Sequence, residues 1–166
     1  MSLKEKIQSE IKEALRGKEA EKLSVLRMLM AAVLNKEKEK RAKLSKNEED
    51  ESKLEEMSKL TEEEILGVIS GEVKKRKDSI EQYGKGNRQD LVDQEKKELE
   101  ILANYLPEQM NEEEIRKIIK EKIKELGASA PQDTGRIMGA IMPQLKGKAD
   151  GGLVNKIVQE ELKKKV

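Results

Sequence analysis

Apolar residues recur every three or four positions through most of this chain, which is the spacing of amphipathic helices. The first stripe contains Leu3, Ile7 and Ile11, and the aromatic residues are limited to Tyr83 and Tyr105. Burial must therefore come from aliphatic side chains, which suit small helical bundles. The sequence predicts an all-α protein, with an elongated N-terminal helical bundle or hairpin followed by a compact C-terminal three-helix bundle.

Pro107 follows a long helical pattern that it cannot continue, and it marks the expected domain boundary. We predict an N-terminal helical domain over residues 1–106 and a C-terminal domain over residues 107–166. Residues 23–34 are apolar on most of a helical circumference, so they are expected to form the central buried helix. Residues 36–59 are rich in Lys, Glu and Ser and have too few apolar residues to bury a face well, so we expect a mobile excursion there.

The chain contains neither cysteine nor histidine. This excludes disulfides, Ser-His-Asp and Cys-His hydrolases and most zinc sites. The acidic run at residues 48–51 lacks the ligand spacing of a calcium loop. We therefore predict no metal, no cofactor and no catalytic residue. An enzyme would have to use lysine or carboxylate chemistry alone, and no constellation in the sequence supports one.

Residues 1–6 contain no apolar signal core, and no apolar run approaches the roughly 20 residues that span a bilayer. We expect a cytoplasmic protein without membrane contact. Charged residues make up 42% of the chain, but their signs nearly cancel at +1. Attraction to a polyanion must therefore come from local patches.

One such patch is expected in the N-terminal domain. Four consecutive cations at residues 74–77 spread around a helix, so a solvated face paired with nearby acids is the default and phosphate contact is the alternative. Arg27 interrupts an apolar helix, and its guanidinium either reaches the surface along its own stem or binds an anion. We define a secondary basic patch that contains Arg27, Lys74, Lys75, Arg76, Lys77 and Arg88.

In the C-terminal domain, two short helical patterns meet across the turn at residues 146–148, which carries Lys146 and Lys148. Gly135 and Gly139 lie four positions apart on the first helix, and each costs roughly 1 kcal/mol of helix propensity. We therefore expect close approach of another group there, a packed helix first and a nucleic-acid backbone as the alternative. Asn155 lies among apolar positions and needs a partner in the neighbouring turn or on a ligand.

Several sequence blocks resemble a known family. They lie at residues 23–33, 72–83, 88–92 and 105–109. The C-terminal domain adds a G-x-x-M…G-K-A…L-V-N pattern, matched by Gly139, Met142, Gly147, Lys148, Ala149, Leu153, Val154 and Asn155. On these residues the chain resembles the GatB/YqeY family along its entire length, as a free-standing YqeY-type protein. Its end is similar to the tail of the B subunit of the glutamine-dependent tRNA amidotransferase.

The resemblance implies an all-helical protein whose C-terminal module is related to a domain that engages the elbow region of tRNA. The family label is carbon–nitrogen ligase activity with glutamine as amido-N-donor. In the larger relative that chemistry belongs to a separate cradle domain, which has no counterpart in these 166 residues. We therefore expect that this chain does not perform the reaction alone.

We predict a module that binds tRNA or another structured RNA. It would recognise shape and phosphate, because few aromatic residues are present for base stacking. The alternative is an accessory protein that docks on an amidotransferase or a translation factor through an exposed bundle face. The candidate RNA-binding residues are Arg136, Gly139, Lys146, Gly147, Lys148, Asn155 and Lys156.

Overall fold

The computed structural model describes residues 1–164, so Lys165 and Val166 of the predicted C-terminal domain lie outside the described residues. The described chain is all-helical, which confirms the predicted fold class. Its helices are α1 Leu3–Arg16, α2 Ala20–Leu44, α3 Glu51–Ser58, α4 Glu62–Lys85, α5 Gln89–Ala103, α6 Glu112–Glu125, α7 Thr134–Leu145 and α8 Gly151–Lys163, with a short 3-10 turn at Pro131–Asp133. The chain divides into unit 1, Met1–Tyr105, and unit 2, Leu106–Val166.

Helix α2 is the centre of unit 1, since it packs against α1, α3, α4 and α5. Its buried residues are Val25, Leu26, Leu29, Met30 and Val33. Burying one such side chain contributes about 1.5–3 kcal/mol relative to leaving it exposed. The expectation that this apolar segment forms the central helix is therefore confirmed.

Residues 36–59 contain more helix than their composition indicates. Helix α2 continues to Leu44, and α3 begins after Asp50, whose carboxylate accepts hydrogen bonds from the amides of Ser52 and Lys53 at 2.9 and 3.1 Å. Leu54 is buried, and α3 packs on α2. Part of this segment therefore packs on α2 through Leu54. The mobile excursion over residues 36–59 stays a prediction.

Arg76, which was predicted to belong to the secondary basic patch, is buried. The residue is 6% exposed, and its guanidinium donates to Glu98 at 3.0 and 3.2 Å and to Glu72 at 3.1 Å. Burial raises the pKa of Glu72, but hydrogen bonds from Lys75 and Arg76 outweigh that effect and leave the pKa below its ordinary value. Arg76 therefore joins α4 to α5 inside unit 1 and is not available to an external phosphate.

Unit 2 is built from α6, α7 and α8, each of which buries one aliphatic side. Its core consists of Ile115, Ile119, Ile123, Ala128, Ile137, Ile141, Leu145, Val154, Ile157, Val158 and Leu162. Helix α6 begins at a capping box, in which the Asn111 side chain accepts from the Glu114 amide and the Glu114 carboxylate accepts from the Asn111 amide, both at 2.9 Å. Gly127, at φ 61°, ends this helix in the left-handed conformation that glycine adopts readily.

We expect Arg76→Met to lower the free energy of unfolding by about 3–5 kcal/mol, because it leaves two largely buried carboxylates without their main cation. Urea unfolding followed by circular dichroism measures this change. The matched control is Lys77→Met, which changes an exposed cation of the same helix and should stay within about 0.5 kcal/mol. Equal losses in the two variants would contradict the role of the buried network.

The same pair of proteins should differ in acid sensitivity. Because the folded-state pKa of Glu72 is lowered from 4.5, its contribution to stability is present above pH 4.5 and is lost as the pH falls through the folded value. The stability gap between the wild type and Arg76→Met should therefore be widest near pH 7 and narrow on acidification. A gap that does not change with pH would mean that ionised carboxylates are not involved.

Candidate nucleic-acid interface

The basic turn, residues 146–148, is closed by its own backbone. Gly147 is buried and has φ 77°, a left-handed conformation that favours glycine. The amides of Lys148 and Ala149 both donate to the carbonyl of Leu145, at 2.9 and 3.0 Å. The sequence therefore forces the chain to reverse immediately after α7.

A second set of contacts fixes this turn from outside. The side-chain amide of Gln109 donates to the carbonyl of Gly147 at 2.6 Å, and the backbone amide of Met110 donates to the carbonyl of Lys148 at 2.8 Å. The segment before α6 thus holds two successive carbonyls of the basic turn. This arrangement fixes the backbone of the turn from which the Lys146 and Lys148 side chains extend.

The predicted cations occupy different environments. Lys148 and Lys156 are exposed, while Lys146 is partly buried. Arg136 is exposed, but it also donates to the carbonyl of Leu126 at the end of α6 and lies 3.7 Å from Asp133. Arg136 therefore has a capping role within unit 2 in addition to any external contact.

Asn155 is partly buried, and its side-chain oxygen accepts a hydrogen bond from Gln159 at 2.9 Å. The partner that its polar amide requires is therefore on the next turn of its own helix. Gln159 is exposed. The two amides present a hydrogen-bonding pair on the outer side of α8.

Gly135 and Gly139 form a glycine strip on the outer side of α7. Both are exposed, and apart from the helix itself no atom of residues 1–164 comes within 4 Å of the position that a Cβ would take. The expected packed helix is therefore absent, because α7 turns its opposite side, with Ile137 and Ile141, into the core. The strip leaves helix backbone open to an approaching group.

Acidic side chains are scarce around the turn and the strip. Residues 126–159 contain six charged residues, in a chain that is 42% charged: Asp133, Arg136, Lys146, Lys148, Asp150 and Lys156. Both acids cap backbone amides: Asp133 accepts from Ser129 and Ala130, and Asp150 accepts from Leu153 at 2.9 Å. The hydrogen bonds from the Ser129 and Ala130 amides hold the pKa of Asp133 below its ordinary value. The cations of this segment therefore have few acidic neighbours along the chain.

The residues of the secondary basic patch are spread over several elements of unit 1. The remaining members of the patch lie on α2, on α4 and just before α5, and they are Arg27, Lys74, Lys75, Lys77 and Arg88. Lys75 pairs with Glu72 at 2.7 Å, and Arg88 pairs with Asp90 at 2.8 Å. The two ion pairs agree with the predicted solvated surface. Phosphate binding by this patch stays a prediction.

No helix within residues 1–164 is long and apolar enough to cross a membrane. The same residues contain no group of three or more acidic side chains placed to hold a metal ion.

The fold and this surface define an all-helical protein of two units, the second of which presents a small cationic turn beside open helix backbone. The chain belongs to the YqeY family. The model of that family, described as Yqey-like protein, matches residues 4–53 and 49–162. The resemblance drawn from the sequence blocks is thereby confirmed.

The relatives include mitochondrial proteins and amidotransferase subunits. Altered inheritance of mitochondria protein 41, mitochondrial, of Pyrenophora tritici-repentis is 27% identical over 158 residues, which are 93% of this chain and 78% of that protein. The E subunit of the glutamyl-tRNA(Gln) amidotransferase of Methanococcus maripaludis is 34% identical over 114 residues, 64% of this chain and 17% of that protein. The B subunit of the aspartyl/glutamyl-tRNA(Asn/Gln) amidotransferase of Thermoanaerobacter pseudethanolicus is 34% identical over 105 residues, 59% of this chain and 20% of that protein.

The chain therefore spans a fifth or less of the length of these amidotransferase subunits. The relative from Pyrenophora tritici-repentis is named as a mitochondrial protein. The cytoplasmic location expected from the sequence stays a prediction.

Sequence reasoning missed Gln109, Met110 and Gln159. Gln109 closes one of the sequence blocks that carry the family resemblance, which was an available signal. Its partner Gly147 lies 38 positions away, and no local pattern pairs an exposed glutamine with a distant carbonyl. Gln159 follows Asn155 at the four-residue spacing of amide pairs on a helix, so it could have been found.

Gly147→Ala should lower the free energy of unfolding by about 1–2 kcal/mol, because an L side chain is strained in the left-handed region. The control Gly139→Ala places a methyl group in open space on a helix and should raise stability by about 0.4–1 kcal/mol. Thermal unfolding of the two variants beside the wild type measures both. Effects of the same sign would show that the turn does not depend on the left-handed glycine.

Proposed function

We propose that unit 2 binds tRNA or a similarly structured RNA through the basic turn, the glycine strip and the first half of α8. The observation that carries this proposal is the pairing of an anchored cationic turn with open helix backbone. Lys148 and Lys156 supply ammonium groups for phosphate, and the glycine strip lets a sugar-phosphate chain come close. Contacts to phosphate and sugar usually account for half or more of the hydrogen bonds in such interfaces.

Recognition would rest on shape and phosphate. Both aromatic residues of the chain, Tyr83 and Tyr105, belong to unit 1, so unit 2 has no ring on which a base could stack. Double-stranded RNA is recognised mainly through its shape, its phosphates and its 2′-hydroxyls. The amide pair of partly buried Asn155 and exposed Gln159 suits contacts to 2′-hydroxyls, because it offers both donors and acceptors.

The relatives support an RNA partner. The amidotransferase subunits that share sequence with this chain are named for reactions on tRNA, and the shared part is about a fifth of each or less. We propose that the shared part contributes RNA binding and that the ligase chemistry belongs to the rest of those subunits. Around the basic turn of this chain, Asp133 and Asp150 accept hydrogen bonds from backbone amides.

The alternative function is docking on an amidotransferase or a translation factor. It is favoured by α2, where Met28 and Leu34 are 45% and 43% exposed. Docking would require these two side chains, which lie six positions apart on α2, to belong to one continuous apolar patch. Co-purification from an RNase-treated extract separates the two functions, since docking survives the loss of RNA and an RNA-mediated association does not.

Filter binding of bulk tRNA to the full chain tests the main proposal. The basic turn and the first half of α8 offer about three phosphate contacts, which by themselves contribute about −3 to the slope of log K against log salt concentration and weaken binding about 50-fold between 50 and 200 mM salt. Lys148→Gln should make the slope less negative by about 1. Lys12→Gln, which changes an exposed lysine of α1, is the control and should leave the slope unchanged. Absence of binding at low salt would reject the proposal.

Substitution in the glycine strip gives an independent test of the RNA interface, because it changes no charge. Gly139→Ala should weaken tRNA binding several-fold, because the added methyl group meets the approaching backbone. Gly71→Ala is the matched control, since Gly71 is also an exposed helical glycine with open space at its Cβ position, and it lies in unit 1. Equal affinities for the two variants would remove the glycine strip from the interface.

A further inference from the structure

A second group of cations surrounds a cavity of about 290 Å³ that is formed by residues of α6 and the end of α8. The cavity is lined by Lys120, Ile123, Lys124, Glu161 and Lys164. We call Lys120, Lys124 and Lys164 the lysine cluster. The aliphatic surface of Ile123 contributes an apolar part of the cavity wall.

Glu161 organises this cavity from within. It is 6% exposed, and one carboxylate oxygen accepts hydrogen bonds from Arg116 at 2.7 Å and from Lys164 at 2.9 Å. Its other oxygen lies 3.8 Å from the ammonium of Lys120. Burial raises the pKa of Glu161, but the hydrogen bonds from Lys164 and Arg116 outweigh that effect and leave the pKa below its ordinary value. The carboxylate is therefore ionised at neutral pH and orients the cations around it.

The cations exceed what Glu161 requires. Arg116 also donates to Glu112 at 2.6 Å and to Glu160 at 3.0 Å, so its positive charge is shared among three carboxylates. The ammonium of Lys124 has no carboxylate within 4.0 Å among the described residues of the chain. Three lysines line the cavity against one carboxylate, and with Arg116, Glu112 and Glu160 included four cations face three carboxylates. Such a surplus of convergent ammonium groups favours an anion, and phosphate is the anion that lysine commonly binds.

The outer side of α8 connects this cavity to the basic turn. Gly152, Lys156, Gln159 and Lys163 recur at three- and four-residue spacing and are all exposed, so they share one side of the helix. None of the four is acidic. Thirteen residues of α8 span about 20 Å, at about 1.5 Å per residue. Glu160 lies four positions after Lys156 on the same side, and its carboxylate accepts a hydrogen bond from Arg116 at 3.0 Å. An RNA backbone that begins at the basic turn can therefore follow α8 to the lysine cluster past one acidic side chain that is already paired.

We infer that the lysine cluster is a second phosphate-binding site for the same RNA, which runs along α8 from the basic turn to the cavity between α6 and α8. This inference rests on the proposed function, because it assigns a further contact to the RNA proposed there. Lys120 and Lys124 are approached from outside, while Glu161 and Arg116 hold the surrounding geometry.

The test compares two lysines of α6 in the full chain. Lys124 lines the cavity, whereas Lys117 is an exposed lysine of the same helix outside it. With bulk tRNA as the probe, Lys124→Gln should make the salt slope less negative by about 1 and Lys120→Gln/Lys124→Gln by about 2. Lys117→Gln should leave the slope as in the wild type. Among the described residues Lys124 forms no ion pair with Glu161, so its substitution leaves the ion pairs of that carboxylate in place, and circular dichroism verifies the helical fold.

The possible results separate this inference from the proposed function. If the wild type binds tRNA and Lys124→Gln changes the slope no more than Lys117→Gln, the second site is overturned and the basic turn remains. If Lys124→Gln and Lys148→Gln each change the slope while Lys117→Gln does not, both sites are supported. If the wild type binds no tRNA at low salt, the proposed function fails and the second site fails with it.

Discussion

Burial of aliphatic side chains on one side of each helix is the interaction on which both units depend. The chain has almost no aromatic residues, so the hydrophobic contribution is divided among many isoleucine, leucine and valine side chains. In unit 2 the buried core is formed by the inner sides of three helices, from Ile115 on α6 to Leu162 on α8. The outer sides make no contribution to that core, and they are consequently available for glycine, amide and lysine residues.

Charges inside the helical packing do a different job from charges on its surface. Arg76 in unit 1 and Glu161 in unit 2 are both buried, and each is surrounded by groups of opposite sign from a neighbouring helix. Removing one partner of such a network leaves a desolvated charge, which is more costly than losing a surface pair. Glu161 has a further consequence, because it fixes cations around a cavity that contains more positive than negative charge.

The proposed RNA surface depends on the backbone as much as on its lysines. Gln109 and Met110 occupy two carbonyls of the basic turn, and left-handed Gly147 sets the direction in which the chain leaves α7. Asp133 and Asp150 turn their carboxylates toward amides. A small cationic surface can attract phosphate under these conditions even though the whole chain carries only +1.

The sequence by itself determined the helical class, the central position of the apolar part of α2 and the family, because periodicity and short motifs are local properties. It also identified Lys148 and Lys156 as exposed cations near a turn. Only the tertiary structure decided that Arg76 is buried, that Leu54 docks α3, that no helix covers Gly139 and that Gln109 holds Gly147. Each of these outcomes depends on a partner that is distant in the chain, and hydrophobic spacing within one helix carries no information about which residue of another helix will face it.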